Sequence, residues 1–228
     1  MSGVAVVTGG GRGIGRAVAL QLAKRGLDIA LWSRTVEETE QVAAEVTALG
    51  RRALGLRCDV ANAGEVAHAA QRVKEVLGVP RAVVCSAGVV HRAPVVEMSE
   101  GDWDHVVSVN LKGTFLVARA LLPAMLEAER GRIVAIGSIS STLGTPRLSA
   151  YCAAKWGVVG FIKSLAEEVR GRGVQAMSVL PGSVDTAMLK GGDFAPQMTP
   201  DQVAGVVTYA ALDAPDAMNG SAIEAFGP

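Results

Sequence analysis

The sequence has no long run of one charge, no uninterrupted hydrophobic stretch of membrane length and few aromatic rings. Its 22 Lys and Arg balance 22 Asp and Glu, for a formal net charge of zero. A charged face that grips nucleic acid or anionic lipid is therefore not expected, and a small, weakly polar partner fits better. No run approaches the roughly 18 consecutive apolar residues of a membrane span. The opening Met1-Ser-Gly-Val-Ala-Val-Val-Thr8 has neither the basic flank nor the long apolar segment and cleavage region of a signal peptide. Cys58, Cys85 and Cys152 are an odd, scattered set, which suits a reduced cytoplasmic protein without disulfides. His68, His91 and His105 lack metal-ligand spacing with one another or with the cysteines, so no metal is assigned. Nothing Pro- or Ser-rich, repetitive or of low complexity divides the chain. Its 228 residues suit a single α/β domain, 1–228, with one site.

What is present is apolar and rich in glycine: half the residues are hydrophobic, 27 are Gly and 4% are aromatic. That composition suits a parallel sheet of Val, Ile, Leu and Ala buried on both faces. Apolar runs at Val4–Val7, Ile29–Trp32, Ala53–Leu56, Ala82–Cys85, Ile133–Ile136, Ala176–Val179 and Ala222–Phe226 read as strands. Helical periods lie between them. Ile14, Val18 and Leu22 share one face, as do Val66, Ala69, Ala70, Val73, Val76 and Leu77. Ser99-Glu-Gly-Asp and Thr199-Pro-Asp-Gln read as helix starts, the second with a capping box and Pro in the first turn. The alternation predicts a doubly wound, seven-stranded parallel sheet with helices on both faces, a Rossmann fold. The least regular stretch, Leu189 to Met198, reads either as a surface connection or as part of a short substrate lid over 187–199.

In such sheets ligands bind beyond the carboxyl ends of the strands. There the sequence places Thr8-Gly-Gly-Gly-Arg-Gly-Ile-Gly15, Ser33-Arg34, Asp59, Cys85-Ser-Ala-Gly88, Ser138 and Pro181-Gly182. The glycine turn between a strand and a helix can present N–H groups to a pyrophosphate. Tyr151 and Lys155 stand at i, i+4, which puts phenol and ammonium on one helix face, thirteen residues after Ser138.

The spacing of Gly9, Gly13 and Gly15, together with Asn110, Ser138, Tyr151 and Lys155, resembles the short-chain dehydrogenase/reductase family from Val4 to about Phe226. The stretch Gly131 to Gly182 is similar to 3-oxoacyl-(acyl-carrier-protein) reductases. The resemblance implies a nucleotide cofactor held by Gly9, Arg12, Gly13, Ile14, Gly15, Ser33, Arg34, Asp59, Val60, Ala87, Gly88, Tyr151 and Lys155, with Pro181, Gly182, Val184 and Thr186 framing the nicotinamide. It gives Asp59 the adenine, Lys155 the ribose, and Asn110, at a helix break between Val109 and Leu111, a water. Two departures stand out. Cys85-Ser86-Ala87-Gly88 replaces the common Asn-Asn-Ala-Gly, and the segment after Thr186 is short.

An NAD site usually carries an acid about 20 residues after the glycine loop. Trp32-Ser33-Arg34 has none there, Asp28 lies at the wrong end of the strand, and Glu37 and Glu38 lie beyond the turn, so Arg34 and Arg12 predict NADPH over NADH. The leading expectation is an NADPH-dependent carbonyl reductase with Tyr151 as general acid, a 3-oxoacyl thioester being one candidate substrate. Alternatives are an NAD-linked alcohol or sugar dehydrogenase and a non-catalytic nucleotide-binding regulator. Arg130 and Arg172 are candidate contacts for an acidic acyl-carrier protein. Apolar residues on more than one face of Leu111–Met125 and Ala150–Val169, with the resemblance, predict a homotetramer.

Overall fold

A computed structural model describes residues 3–190 and 194–227. Seven strands form one sheet: β1 Val4–Thr8, β2 Asp28–Ser33, β3 Ala53–Arg57, β4 Pro80–Cys85, β5 Gly131–Ile136, β6 Val174–Pro181 and β7 Ala222–Ala225. The order is β3-β2-β1-β4-β5-β6-β7 and every neighbouring pair is parallel. Each expected strand is present. Parallel neighbours require crossovers, and the helices supply them: α1 Gly13–Lys24, α2 Val36–Ala48, α3 Ala63–Val76, α4 Glu100–Val107, α5 Gly113–Glu127, α6 Ser149–Glu168 and α7 Pro200–Leu212.

Strand residues alternate between faces, and both faces are buried here. Val6, Trp32, Val83 and Ile133 pack on one side with Met125 and Ile162, while Val7, Ile29, Leu31 and Val179 pack on the other with Leu22 and Val207. The predicted helix starts hold. The Ser99 hydroxyl accepts from the Asp102 N–H at 3.1 Å. Thr199 accepts from the Gln202 N–H at 3.3 Å, and the Thr199 N–H donates to Gln202 Oε1 at 2.8 Å.

Between α4 and α5 the chain makes one π-helical turn, Ser108–Lys112, without leaving the helix. The whole run Glu100–Glu127 spans 28 residues and meets the length and composition of a membrane-crossing helix. Polar and charged residues interrupt it, so no continuous apolar stretch of that length stands in the sequence. Half of its most apolar stretch is buried inside the domain, and Leu116, Val117, Leu121 and Met125 belong to the core.

The chain passes from β3 at one edge to β4 on the far side of β1. The first crossovers and the later ones therefore diverge above the carboxyl ends of β1 and β4, which opens a crevice there.

Candidate active site

The crevice begins at Thr8, the last residue of β1 and fully buried. Its hydroxyl oxygen accepts from the N–H groups of Ser86 and Ala87, both at 3.1 Å. The loop after β4 is thus held through its backbone, whatever side chains stand at 85 and 86. The glycines are dictated by contact. Gly9 has φ +62°, and a Cβ there would lie 3.0 Å from the Ala87 backbone; Gly13 has φ +52° and packs under Thr186. A Cβ on Gly15 would collide with the Gly9 carbonyl oxygen. The result is a floor without side chains at the start of α1, whose first turn has no side-chain cap and no acid. Its free N–H groups can receive a phosphate.

A second floor lies at Gly88, where a Cβ would stand 2.8 Å from Asn110 Oδ1 and 3.8 Å from Lys155 Nζ. The π-turn aims Asn110 inward: its amide donates to the carbonyls of Val89 and Val106, both at 2.8 Å, and its Oδ1 is buried without a partner. Lys155 Nζ donates to the Ile136 carbonyl at 2.7 Å and lies 5.5 Å from the centre of the Tyr151 ring. Burial lowers the Lys155 pKa to about 8, opposed in part by Cys85.

Ser138 is extended at the end of β5 and opens a short turn, Ile139–Ser141. Its hydroxyl oxygen accepts from the Ser140 N–H at 3.1 Å, which leaves its own hydrogen free to donate. Burial raises the Tyr151 pKa, while a hydrogen bond with Ser138 and the charge of Arg92 act in the opposite sense. Asn110 from the π-turn, Ser138 from the end of β5, and Tyr151 and Lys155 from α6 therefore come together from three elements on one rim.

The cofactor candidates follow the same rim. The Ser33 hydroxyl accepts from the Thr35 N–H at 3.3 Å, and Arg34 is exposed with no ion pair among the described residues. Asp59 Oδ1 accepts from the Ala61 N–H at 2.9 Å, and Val60 is buried against Gly113. Ile14 is half-buried in the first turn of α1. Pro181 ends β6, the Gly182 N–H donates to the Ala225 carbonyl at 2.8 Å, and Val184 bridges to Met198.

One placement differs from expectation. Glu38 lies beyond the turn in sequence, but the first turn of α2 brings it back against Gly11 and to 3.7 Å from Arg12. Arg12 thus has an acidic neighbour that strand and turn counting did not anticipate. Glu37 is exposed. Arg130 and Arg172, the carrier-protein candidates, precede β5 and β6 at the amino ends of the strands, on the opposite rim from Tyr151.

Of the lid segment 187–199, residues 191–193 lie outside the described part. The flanks are tied together: the Asp185 N–H donates to the Met198 carbonyl at 2.9 Å and the Gln197 N–H to the Ser183 carbonyl at 3.0 Å. Arg92 Nη2 donates to the Met188 carbonyl at 3.0 Å, and the Met188 methyl lies 3.7 Å from the Cβ position of Gly88. Sequence reading singled out neither residue. The available signal was Arg92's position, four residues past Gly88 in the loop after β4.

Fold and rim together define a dinucleotide-binding oxidoreductase scaffold. The family model for short chain dehydrogenases matches residues 3–193. A 3-oxoacyl-[acyl-carrier-protein] reductase of Synechocystis is 34% identical over 220 residues, covering 92% of this chain and 89% of its own. A D-threitol dehydrogenase of Mycolicibacterium smegmatis is 38% identical over 234 residues, covering 96% and 89%. The crystal structure of a short-chain type dehydrogenase/reductase from Mycobacterium marinum superposes with a TM-score of 0.94 at 29% identity, covering 99% of this chain and 94% of that one. The chain belongs to the short-chain dehydrogenase/reductase family and is an oxidoreductase of that type; NAD(P) is the family's cofactor.

Proposed function

We propose that the protein is an NADPH-dependent carbonyl reductase, with a 3-oxoacyl thioester among its candidate substrates. The observation that carries the reaction is the convergence of Tyr151, Ser138 and a buried Lys155 beside the glycine-floored crevice. Bound there, the nicotinamide supplies the hydride. Ser138, whose hydrogen is not held by the backbone, donates to the carbonyl oxygen and orients it. Tyr151 gives that oxygen its proton as general acid. A neutral phenol suits this role, and its raised pKa keeps it protonated before reaction. Lys155, in cationic form, stabilises the tyrosinate left behind. The unpartnered Asn110 Oδ1, across Gly88 from Lys155, is placed to accept from a water through which the proton returns.

Arg34 supports the choice of NADPH, since it stands free after β2 where an NAD site would carry an acid. The guanidinium of Arg12 joins it only by leaving Glu38. A charge-assisted hydrogen bond contributes roughly 1.5 to 3 kcal/mol, so Arg34→Ala should weaken NADPH by about 10- to 150-fold and leave NADH nearly unchanged. Dissociation constants for both cofactors with wild type and variant test this. A wild type that prefers NADH, or a variant that loses both equally, rejects the selectivity. The 38% identity to a D-threitol dehydrogenase favours, as second reading, alcohol or sugar oxidation on the same residues.

The proposed assembly is a homotetramer in the cytoplasm. Phe115 on α5 and Trp156 on α6 are 39% and 54% exposed, more apolar surface than an isolated sheet-covering helix requires.

A further inference from the structure

Arg92 takes no part in the proton transfer described above, yet it sits at the mouth of the same crevice. We propose that Arg92 selects substrate by receiving an anionic group, a carboxylate or phosphate, carried by the carbonyl compound. The inference rests on the carbonyl-reductase reading and names its substrate class.

Three observations support it. Arg92 is half-buried and, among the described residues, has a single acceptor, the Met188 carbonyl at 3.0 Å. The methyl of that same Met188 lies 3.7 Å from the Gly88 Cβ position, a point 3.8 Å from Lys155 Nζ, so the guanidinium is anchored one residue away from the reaction floor. Second, Arg92 has no acidic partner among the described residues, which it shares with half of the sixteen arginines, but it combines that with partial burial at the mouth of the crevice. A guanidinium has five donors in a planar fork that matches carboxylate and phosphate, and four have no partner among the described residues. Keeping such a group partly desolvated without a counter-charge costs free energy, which a bound anion offsets.

Third, the Ala93 N–H donates to the Arg147 carbonyl at 3.0 Å, which stitches Arg92's loop to the segment that leads into Tyr151. Arg147 holds φ +64°, a left-handed conformation unfavourable for a side chain of its kind. Such strain persists where surrounding contacts impose it and concentrates at ligand sites. A second cationic residue is thereby kept four positions before the phenol. The positive charge of Arg92 also favours the tyrosinate form of Tyr151, so an anion seated there and the proton donor are electrostatically coupled.

The test is calorimetric binding to cofactor-saturated protein of pyruvate, acetoacetate and 4-oxopentanoate, each against its methyl ester, with 2-oxopropylphosphonate as the phosphate-like counterpart of acetoacetate. At least one acid should bind about 10-fold or more tightly than its ester. Arg92→Gln should remove that preference while leaving the ester within about 3-fold, Arg92→Lys should retain part of it, and Arg147→Gln should reduce it less. The relative affinity of acetoacetate and the phosphonate assigns the anion. Thermal melts confirm that the variants fold. The proposal is overturned if no acid outbinds its ester, or if Arg92→Gln weakens acid and ester equally, which would make Arg92 only a latch on the 187–199 segment. Turnover of the same compounds is read separately: acids that bind selectively but are never reduced would remove the carbonyl-reductase reading and leave the anion site standing.

Discussion

The two rims of the sheet treat charge in opposite ways. At the amino ends of the strands, several charged groups close on one another, although Arg51 Nε and Gln175 Oε1 stay buried without a partner among the described residues. Asp28, 7% exposed, is gripped by Arg51 at 2.6 Å and Arg52 at 2.8 Å; Arg25 pairs with Asp213 through two hydrogen bonds; and Arg132 caps the carbonyls of Ala210 and Ala214 at the end of α7. At the carboxyl ends, polar groups are held in place but left incomplete. Lys155 has one carbonyl, Asn110 Oδ1 has no partner, and Arg34 has no ion pair among the described residues. Closed networks fix the fold, whereas a buried group with spare valence carries a cost that a ligand removes. The difference separates stability from chemistry within one sheet.

Removing a group from the open rim should cripple turnover and spare the fold. Tyr151→Phe deletes the proton donor, and general acid catalysis contributes about 100- to 10,000-fold, so steady-state turnover should fall by that order while cofactor affinity and the melting temperature stay close to wild type. Retained wild-type turnover would remove Tyr151 from the reaction.

The open rim should also leave a mark on stability against pH. Lys155 has a folded pKa of about 8, below its ordinary 10.5. Between those values the unfolded chain binds more protons than the folded one, so the Lys155 contribution to stability rises with pH across that window. Wild type should therefore gain on Lys155→Met from pH 8 to 10.5, by about 3 kcal/mol at most. Denaturant titrations of the ligand-free proteins at several pH values would show it, and a stability gap that does not change with pH would contradict the burial argument.

At the closed rim the expected effect is smaller and of the other kind. Burial raises the Asp28 pKa, but hydrogen bonds from Arg52 and the charges of Arg51 and Arg52 outweigh it and hold the carboxyl below its ordinary 3.8. The stabilisation is thus fully present above about pH 4 and is lost as pH falls through the lowered folded value. Asp28→Asn should cost about 2 kcal/mol at neutral pH, less than a fully buried pair because both arginines reach solvent. Chemical denaturation measures the loss, and kcat of the folded fraction should not change. A variant as stable as wild type but slower would place Asp28 in the chemistry and break the contrast between the rims.

How much of this was legible beforehand follows from the range of each interaction. The seven strands, the caps at Ser99 and Thr199, the glycine turn and the Tyr151–Lys155 face are written in short spacings, because pleat, helix period and steric contact act over a few residues. The chain order of strands and rim residues also exposed the shared site, since every parallel strand ends on the same side. Three placements were decided by tertiary structure. Glu38 meets Arg12 because of the phase at which α2 leaves β2, Arg130 and Arg172 fall on the rim away from Tyr151, and Arg92 meets Met188, 96 residues further on. Sequence by itself determined which elements form and which end of the sheet carries the chemistry, through local geometry repeated along the chain. Only the packed structure decided which charges close on one another and which stay open to a ligand, because that depends on distances between elements that local spacing does not encode.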